Sequence, residues 1–223
     1  MPQPAAALMV PFLAGCEGPL SSLAPAGPAA AQIAVLWWAM LAGAVLITLM
    51  VLALVWRGFA APPHPRPGES FWIHGMGLGF SLAVLAAVVG AGIWVGERLQ
   101  ARPDPEAIRV EAIARQWDWR FRQPGPDGRM VETRGQLHIP AGRPVDVVIR
   151  SEDVIHSFWV PRLAGKMDAL PGRDNLLRIQ ADAPGLYHGT SAEFSGTGYA
   201  GMRFEVLVWP PDDPPDLTAE ESE

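Results

Sequence analysis

Gly189-Thr-Ser-Ala-Glu-Phe-Ser-Gly-Thr-Gly-Tyr-Ala-Gly-Met-Arg-Phe-Glu-Val-Leu-Val-Trp209 ends in an alternation that decides the fold class. Met202, Phe204, Val206 and Val208 are apolar, and Arg203 and Glu205 stand between them. Successive side chains of a strand point to opposite faces, so this period of two predicts a half-buried β-strand. Upstream, the same pattern returns twice. Val145, Val147 and Ile149 alternate with Asp146 and Arg150, and Leu177, Ile179 and Ala181 alternate with Arg178 and Gln180. Turns are signalled at Pro124-Gly-Pro-Asp-Gly128, Pro140-Ala-Gly142, Pro171-Gly172 and Pro184-Gly185. Short strands separated in this way across residues 108–209 predict a β-sandwich of about eight strands with Greek-key connections. No helix-period stretch of useful length interrupts them. Beyond Trp209, residues 210–223 are rich in Pro, Asp and Glu and cannot bury apolar surface, which predicts a solvated acidic tail.

The N-terminal half reads differently. Residues 33–56 carry no charge, and at about 1.5 Å per residue such a run spans roughly 36 Å, enough to cross a bilayer with some tilt. Residues 71–96 begin with a second apolar run, interrupted by His74. A chain this small has no core that could hide both runs, so both are expected to be transmembrane helices. Residues 57–70 between them contain Arg57, His64 and Arg66 and are proline-rich, which predicts a cytoplasmic hairpin loop by the positive-inside rule. The N-terminal segment 1–32 and everything after the second helix then lie on the periplasmic side of a bacterial inner membrane. Residues 97–107 read as a linker into the sandwich.

Leu8-Met-Val-Pro-Phe-Leu-Ala-Gly-Cys16 has the form of a short apolar core followed by a lipoprotein cleavage box, which makes Cys16 the lipidation candidate. No Lys or Arg precedes it, unlike an ordinary signal peptide, and the alternative is a chance thiol in an unprocessed N-terminus. Cys16 is also the sole cysteine of the 223 residues, so internal disulfides and any metal site needing two thiolates are excluded. The net charge of −6, with no basic cluster, argues against nucleic acid as a partner.

Four ordered stretches carry a family resemblance: Gln116-Trp-Asp-Trp-Arg-Phe121, Asp153-Val-Ile-His-Ser-Phe-Trp-Val-Pro161, Gly165-Lys-Met-Asp-Ala-Leu-Pro-Gly-Arg173 and the segment 189–204 quoted above. Together they resemble subunit II of haem–copper terminal oxidases, the cytochrome c oxidase subunit II family, whose periplasmic domain is a cupredoxin. The resemblance implies a membrane-anchored all-β protein, a two-helix hairpin followed by a cupredoxin-like Greek-key sandwich. It also implies a dinuclear copper site held by two bridging thiolates, two imidazoles, a thioether and a backbone carbonyl, soft donors suited to reduced copper. On that pattern His156, Met202 and the carbonyl of Glu193 are retained. Both cysteine positions are serine, Ser191 and Ser195, and the second histidine position is Tyr199. The resemblance therefore predicts a degenerate site that binds no dinuclear copper. A mononuclear site from His156, Met202 and His188 is the alternative, weakened by the missing cysteine.

Further roles come only from the resemblance. Trp117 matches the residue through which cytochrome c delivers electrons, against the alternative of a tryptophan packed on the sandwich edge. Glu193 matches a side chain that reaches magnesium at the interface with subunit I, against a plain solvated carboxylate. Glu69 matches a glutamate near the entrance of a proton path, against a favourable charge at a helix start. Catalytic haem and copper would belong to subunit I, so no residue of this chain is assigned bond chemistry. The loss pattern is similar to that of quinol oxidases, and it implies a subunit of a proton-pumping respiratory oxidase, partnered by subunits I and III and by membrane lipid, with quinol as the substrate of the complex. Two alternatives are a cytochrome c oxidase with another route for electrons and a free cupredoxin-like assembly lipoprotein.

Overall fold

Pro28 opens the first helix, a position where its missing N–H costs nothing, and helix α1 runs Pro28–Ala60. The computed structural model describes residues 17–60, 67–125 and 128–215. Cys16, the loop residues His64 and Arg66, and the acidic end of the chain lie outside the described residues. Helix α2 runs Phe71–Leu99. Its first part, Phe71–Phe80, is wound as a π-helix, and Ser81–Leu99 continues as an α-helix. Glycines at 77 and 79 suit that winding, since a Cβ at either would stand 3.2 Å from the carbonyl oxygen of Trp72 or His74. Both helices are long and apolar enough to cross a membrane, and their large side chains, Leu46, Trp56 and Ile93 among them, stand open to the surroundings. A cation closes each: Arg57 and Arg98 lie in the last turns, where the helix dipole favours positive charge.

The chain divides into two units, Ile33–Leu99 being one, and the sandwich together with the residues up to Gln32, the first turn of α1 included, the other. The sandwich has ten strands among the described residues, where the sequence predicts about eight. They are β1 (Ile108–Arg115), β2 (Asp118–Pro124), β3 (Met130–Arg134), β4 (Gln136–Pro140), β5 (Val145–Ser151), β6 (His156–Trp159), β7 (Met167–Ala169), β8 (Asn175–Ile179), β9 (Gly185–Ser191) and β10 (Arg203–Trp209). The two shortest, β6 and β7, have four and three residues, too few to display a period.

One sheet has the order β3-β2-β1-β5-β8 and the other β4-β10-β9-β6-β7. Two parallel pairs, β1 with β5 and β4 with β10, force crossovers between sheets and give the Greek-key, cupredoxin-like topology. The switch from β3 to β4 takes a single residue, Gly135, at φ +72°, a conformation that a side chain would strain. The predicted alternations hold: Phe204, Val206 and Val208 are buried, and Val145, Val147 and Ile149 face the same core. Val148 is buried as well, so β5 is covered on both faces. Four rings fill the centre. Phe158 and Phe204 stack with centroids 4.8 Å apart, and Trp119 meets Phe158 edge-on at 5.6 Å. Gly189 makes room for them, because a Cβ there would lie 2.1 Å from Cζ of Phe204.

Residues 100–107 are irregular but tied down. Arg178 on β8 donates to the carbonyl oxygen of Arg102 at 2.8 Å, pairs with Asp104 at 3.4 Å and holds Asp146 through two hydrogen bonds.

Candidate functional site

Three connections meet at one end of the sandwich: the β1–β2 turn with Gln116 and Trp117, the β5–β6 loop with Asp153, and the long β9–β10 loop of residues 192–202. Asp153 joins the first two. Its Oδ2 accepts the backbone N–H of Gln116 at 2.8 Å, and its Oδ1 accepts the backbone N–H of Val154 and faces Nε2 of His156 at 2.8 Å. Burial works to raise the Asp153 carboxyl, but these donors outweigh it and hold the group below the usual carboxylate range. An ionised carboxylate can only accept, so Nε2 of His156 donates to Asp153, and the ring's remaining nitrogen is Nδ1. That nitrogen is buried without a hydrogen-bond partner among the described residues.

The third connection is fastened by the first. The Gln116 side-chain amide and the Trp117 indole N–H both donate to the carbonyl oxygen of Ser195, at 2.8 and 3.0 Å. The Trp117 ring lies against Gly196 and Gly198, and a Cβ at Gly198 would come within 2.4 Å of it. The indole is still 42% exposed, so Trp117 is at once a surface residue and the clamp on the loop.

The residues singled out by the copper pattern fall into two groups. His156 and Met202 are wholly buried, and Ser191 and Ser195 nearly so. Ser191 Oγ accepts the N–H of Ser157 at 3.3 Å, and its own N–H donates to the carbonyl oxygen of Met202 at 2.9 Å. Ser195 Oγ, like Nδ1 of His156, is buried without a hydrogen-bond partner among the described residues. Tyr199 and Glu193 lie outside this buried set. Tyr199 opens a single 3₁₀ turn, Tyr199–Gly201, and packs edge-on against Phe194 at 5.2 Å. Glu193 is partly exposed, 3.8 Å from Nζ of Lys166, which also bonds Asp168 at 2.9 Å. The Asp168 carboxylate, and Glu193 with it, raises the Lys166 ammonium above its ordinary value.

His188 is set apart. On β9 the residues Tyr187, Gly189 and Ser191 face inward, so His188 projects from the other face, in register with Glu205. It does not join His156 and Met202. Among the described residues, no group of three or more His, Cys, Asp or Glu side chains is placed to hold a metal ion. The inward donors are one imidazole, one thioether and hydroxyls, a set without thiolate.

In the helical unit, Glu69 is exposed just ahead of α2, and Ser70 Oγ lies 3.3 Å from Nδ1 of His74, one turn on. Asp153 and Gln116 were inside the quoted motifs without being assigned a part. Their partners lie 37 and 79 positions away, which a local reading cannot pair.

Residues 123–208 match the family model for the periplasmic domain of cytochrome c oxidase subunit II. The chain is 31% identical over 179 residues to the alternative cytochrome c oxidase subunit 2 of Bradyrhizobium diazoefficiens, covering 68% of this chain and 63% of that protein. It thus spans less than two thirds of that relative's length. It is 29% identical over 208 residues to the quinol oxidase subunit 2 of Bacillus cereus, covering 87% of this chain and 70% of the relative. Among solved structures, a chain of a haem–copper terminal oxidase dimer determined by cryo-EM aligns with a TM-score of 0.47 and 25% identity, over 60% of this chain and 97% of that one.

Proposed function

The chain belongs to the haem–copper oxidase subunit II family, and from that premise we propose that it is the second subunit of a proton-pumping quinol oxidase whose dinuclear copper site has been lost. One observation carries the reading: serine stands at both 191 and 195 and tyrosine at 199, leaving the site no bridging sulfur. A serine hydroxyl is a poor ligand for copper, and the sole thiol of the chain, Cys16, belongs to the N-terminal segment. Without that centre, electrons reach the haem of subunit I directly from membrane quinol, and this subunit contributes structure, not chemistry.

On this reading Trp117 no longer passes electrons. Its indole N–H and ring are used to hold the carbonyl of Ser195 and the loop beyond it. Glu193 would offer a carboxylate oxygen to a magnesium ion shared with subunit I, the remaining ligands coming from that subunit. Glu69 would sit at the cytoplasmic start of α2, near the entrance of a proton path. Cys16 would carry the lipid that adds a second anchor.

The helices would cross the inner membrane as a hairpin with the sandwich in the periplasm. Two observations favour that arrangement. Arg57 ends α1 on the loop side. Residues 24–30 are hydrogen-bonded to residues of the sandwich, so the two crossings between them must return the chain to the side it left. Subunits I and III and the surrounding lipid would then cover the apolar faces of α1 and α2.

Oxygen consumption by the purified complex decides the donor. Fast, cyanide-sensitive turnover with reduced quinol, and none with reduced cytochrome c, is the expected result. Turnover with cytochrome c would overturn the quinol assignment and direct attention to a separate electron carrier.

A further inference from the structure

We infer that residues 24–30 are a built-in docking segment that latches into a groove of the sandwich, and that the groove admits small residues alone. Ala26 is paired through both of its main-chain groups. Its N–H donates to the carbonyl oxygen of Arg162 at 2.7 Å, and its carbonyl oxygen accepts the N–H of Asp182 at 2.9 Å. Residues 162–163 and 180–182 are the walls against which the segment lies, both meeting it around Ala26 and Gly27. Two further bonds extend the contact: the Arg162 guanidinium donates through Nε to the carbonyl oxygen of Ala24 at 2.8 Å, and the Ala30 N–H donates to the carbonyl oxygen of Leu163 at 3.2 Å.

The fit explains the composition Ala24-Pro-Ala-Gly-Pro-Ala-Ala30. A Cβ on Gly27 would stand 2.0 Å from the carbonyl oxygen of Gln180, a backbone atom that has no rotamer to move away. Ala30 is 2% exposed, and Ala26 and Ala29 pack against the hydrophobic core, so longer side chains have no space there either. The pairing resembles the way an extended peptide is gripped at an open edge, where main-chain bonds supply the hold and shallow pockets set the side-chain size. Arg162 is itself braced, with its guanidinium 5.3 Å from the centre of the Tyr187 ring.

The walls come from residues more than a hundred positions later in the chain, Ala24 and Arg162 being 138 apart. A contact closed over so long a loop forms late, after the sandwich itself has assembled. The latch is therefore a distinct step: the segment seats once the domain has folded on its own side of the membrane, and it seals the core beside Leu163 and Ala181. The inference stands apart from the electron donor.

Hydrogen exchange on the full chain in detergent tests it. The amides of Ala26, Ala30 and Asp182 should be slow, and Gly27→Val should speed all three together by about tenfold or more while the amides of β1 and β5 stay slow. Arg162→Ala, which removes a single side-chain bond, should produce a smaller rise at the same three positions. Fast exchange of Ala26 and Asp182 in the unsubstituted chain would overturn the inference. So would a Gly27→Val chain that keeps them protected, or an Arg162→Ala chain in which β1 and β5 open together with them, since the segment would then have no separate step of release.

Discussion

Nε2 of His156 lies 2.8 Å from Oδ1 of Asp153, with the imidazole wholly buried and the carboxylate at the surface edge of the same loop. The pair orients a ring whose other nitrogen points into the protein. Asp153 also takes the N–H of Gln116, and Gln116 holds Ser195, so one carboxylate organises all three connections at this end of the sandwich. A carboxylate that fixes the orientation of a histidine ring is thus in place, and it also supports the loops around it.

Replacing Asp153 by Asn should cost about 1.5–3 kcal/mol, the worth of hydrogen bonds to a charged group, because the uncharged amide leaves the Gln116 and His156 donors poorly served. The Asp153 carboxyl titrates lower in the folded protein than in the unfolded chain, where about 3.9 is usual. Its contribution is therefore complete above that value and disappears as the pH falls through the folded one. Glu132, held low chiefly by its hydrogen bond to Arg122, behaves in the same sense. Thermal melts from pH 3 to pH 7 should show Asp153→Asn less stable at neutral pH and flatter below about pH 4. An unchanged slope would mean that the carboxyl does not carry the acid sensitivity.

Gly189→Ala should destabilise the sandwich by about 1–3 kcal/mol or more, since the new methyl falls on the Phe204 ring inside a packed aromatic cluster. Phe204→Leu alone opens a cavity and is also destabilising. The double substitution should cost less than the sum of the two, because the smaller side chain vacates the space that the methyl needs. Additive losses in denaturant unfolding would show that the strain is relieved elsewhere.

These two sites mark what is legible in the sequence. The alternation of Phe204, Val206 and Val208 identifies β10 because period two is a local property, set by the geometry of one strand. His156, Ser191, Ser195 and Met202 stand out only through the family resemblance, and their burial together is a matter of the fold. Period two picks out β5, β8 and β10 and cannot mark β6 and β7, too short to alternate, and the sequence leaves His188 as a candidate partner of His156, although β9 turns it to the opposite face. Asp153 and Gly27 are invisible for a different reason. What makes each matter is a partner brought close by topology, Gln116 for one and the carbonyl of Gln180 for the other, and neither spacing nor composition encodes that meeting.

Trp117→Phe separates the two duties of the indole. The phenyl ring can still rest on Gly196 and Gly198, but the hydrogen bond to Ser195 is gone, so a loss of about 0.5–1.5 kcal/mol is expected. Trp117→Ala also removes the ring and should loosen residues 192–202 further, visible as faster amide exchange there. Quinol-driven oxygen consumption should be unaffected by Trp117→Phe. A large fall in turnover without a fall in stability would return Trp117 to a role in electron transfer.

Supplying the donors of the family's copper pattern is the most direct test of the proposed loss of the site. Ser191→Cys, Ser195→Cys and Tyr199→His together reinstate two thiolates and an imidazole beside His156 and Met202. The frame for them is present: Ser191 bonds Met202 through the backbone, Ser195 is held by Gln116 and Trp117, and His156 is oriented by Asp153. Both serine side chains are already buried, so cysteine sulfurs there would be shielded from water. The triple variant should take up two copper ions per chain and acquire near-infrared absorption, whereas the unsubstituted chain should acquire none. Tyr199 is the weak point, because it packs on Phe194 and opens the 3₁₀ turn that leads to Met202. If the two cysteine substitutions alone give a mononuclear site and the histidine adds nothing, the turn and not the donor set has diverged. Failure of the triple variant to bind copper at all, with the fold intact by circular dichroism, would show that the whole loop has drifted from a metal-binding shape.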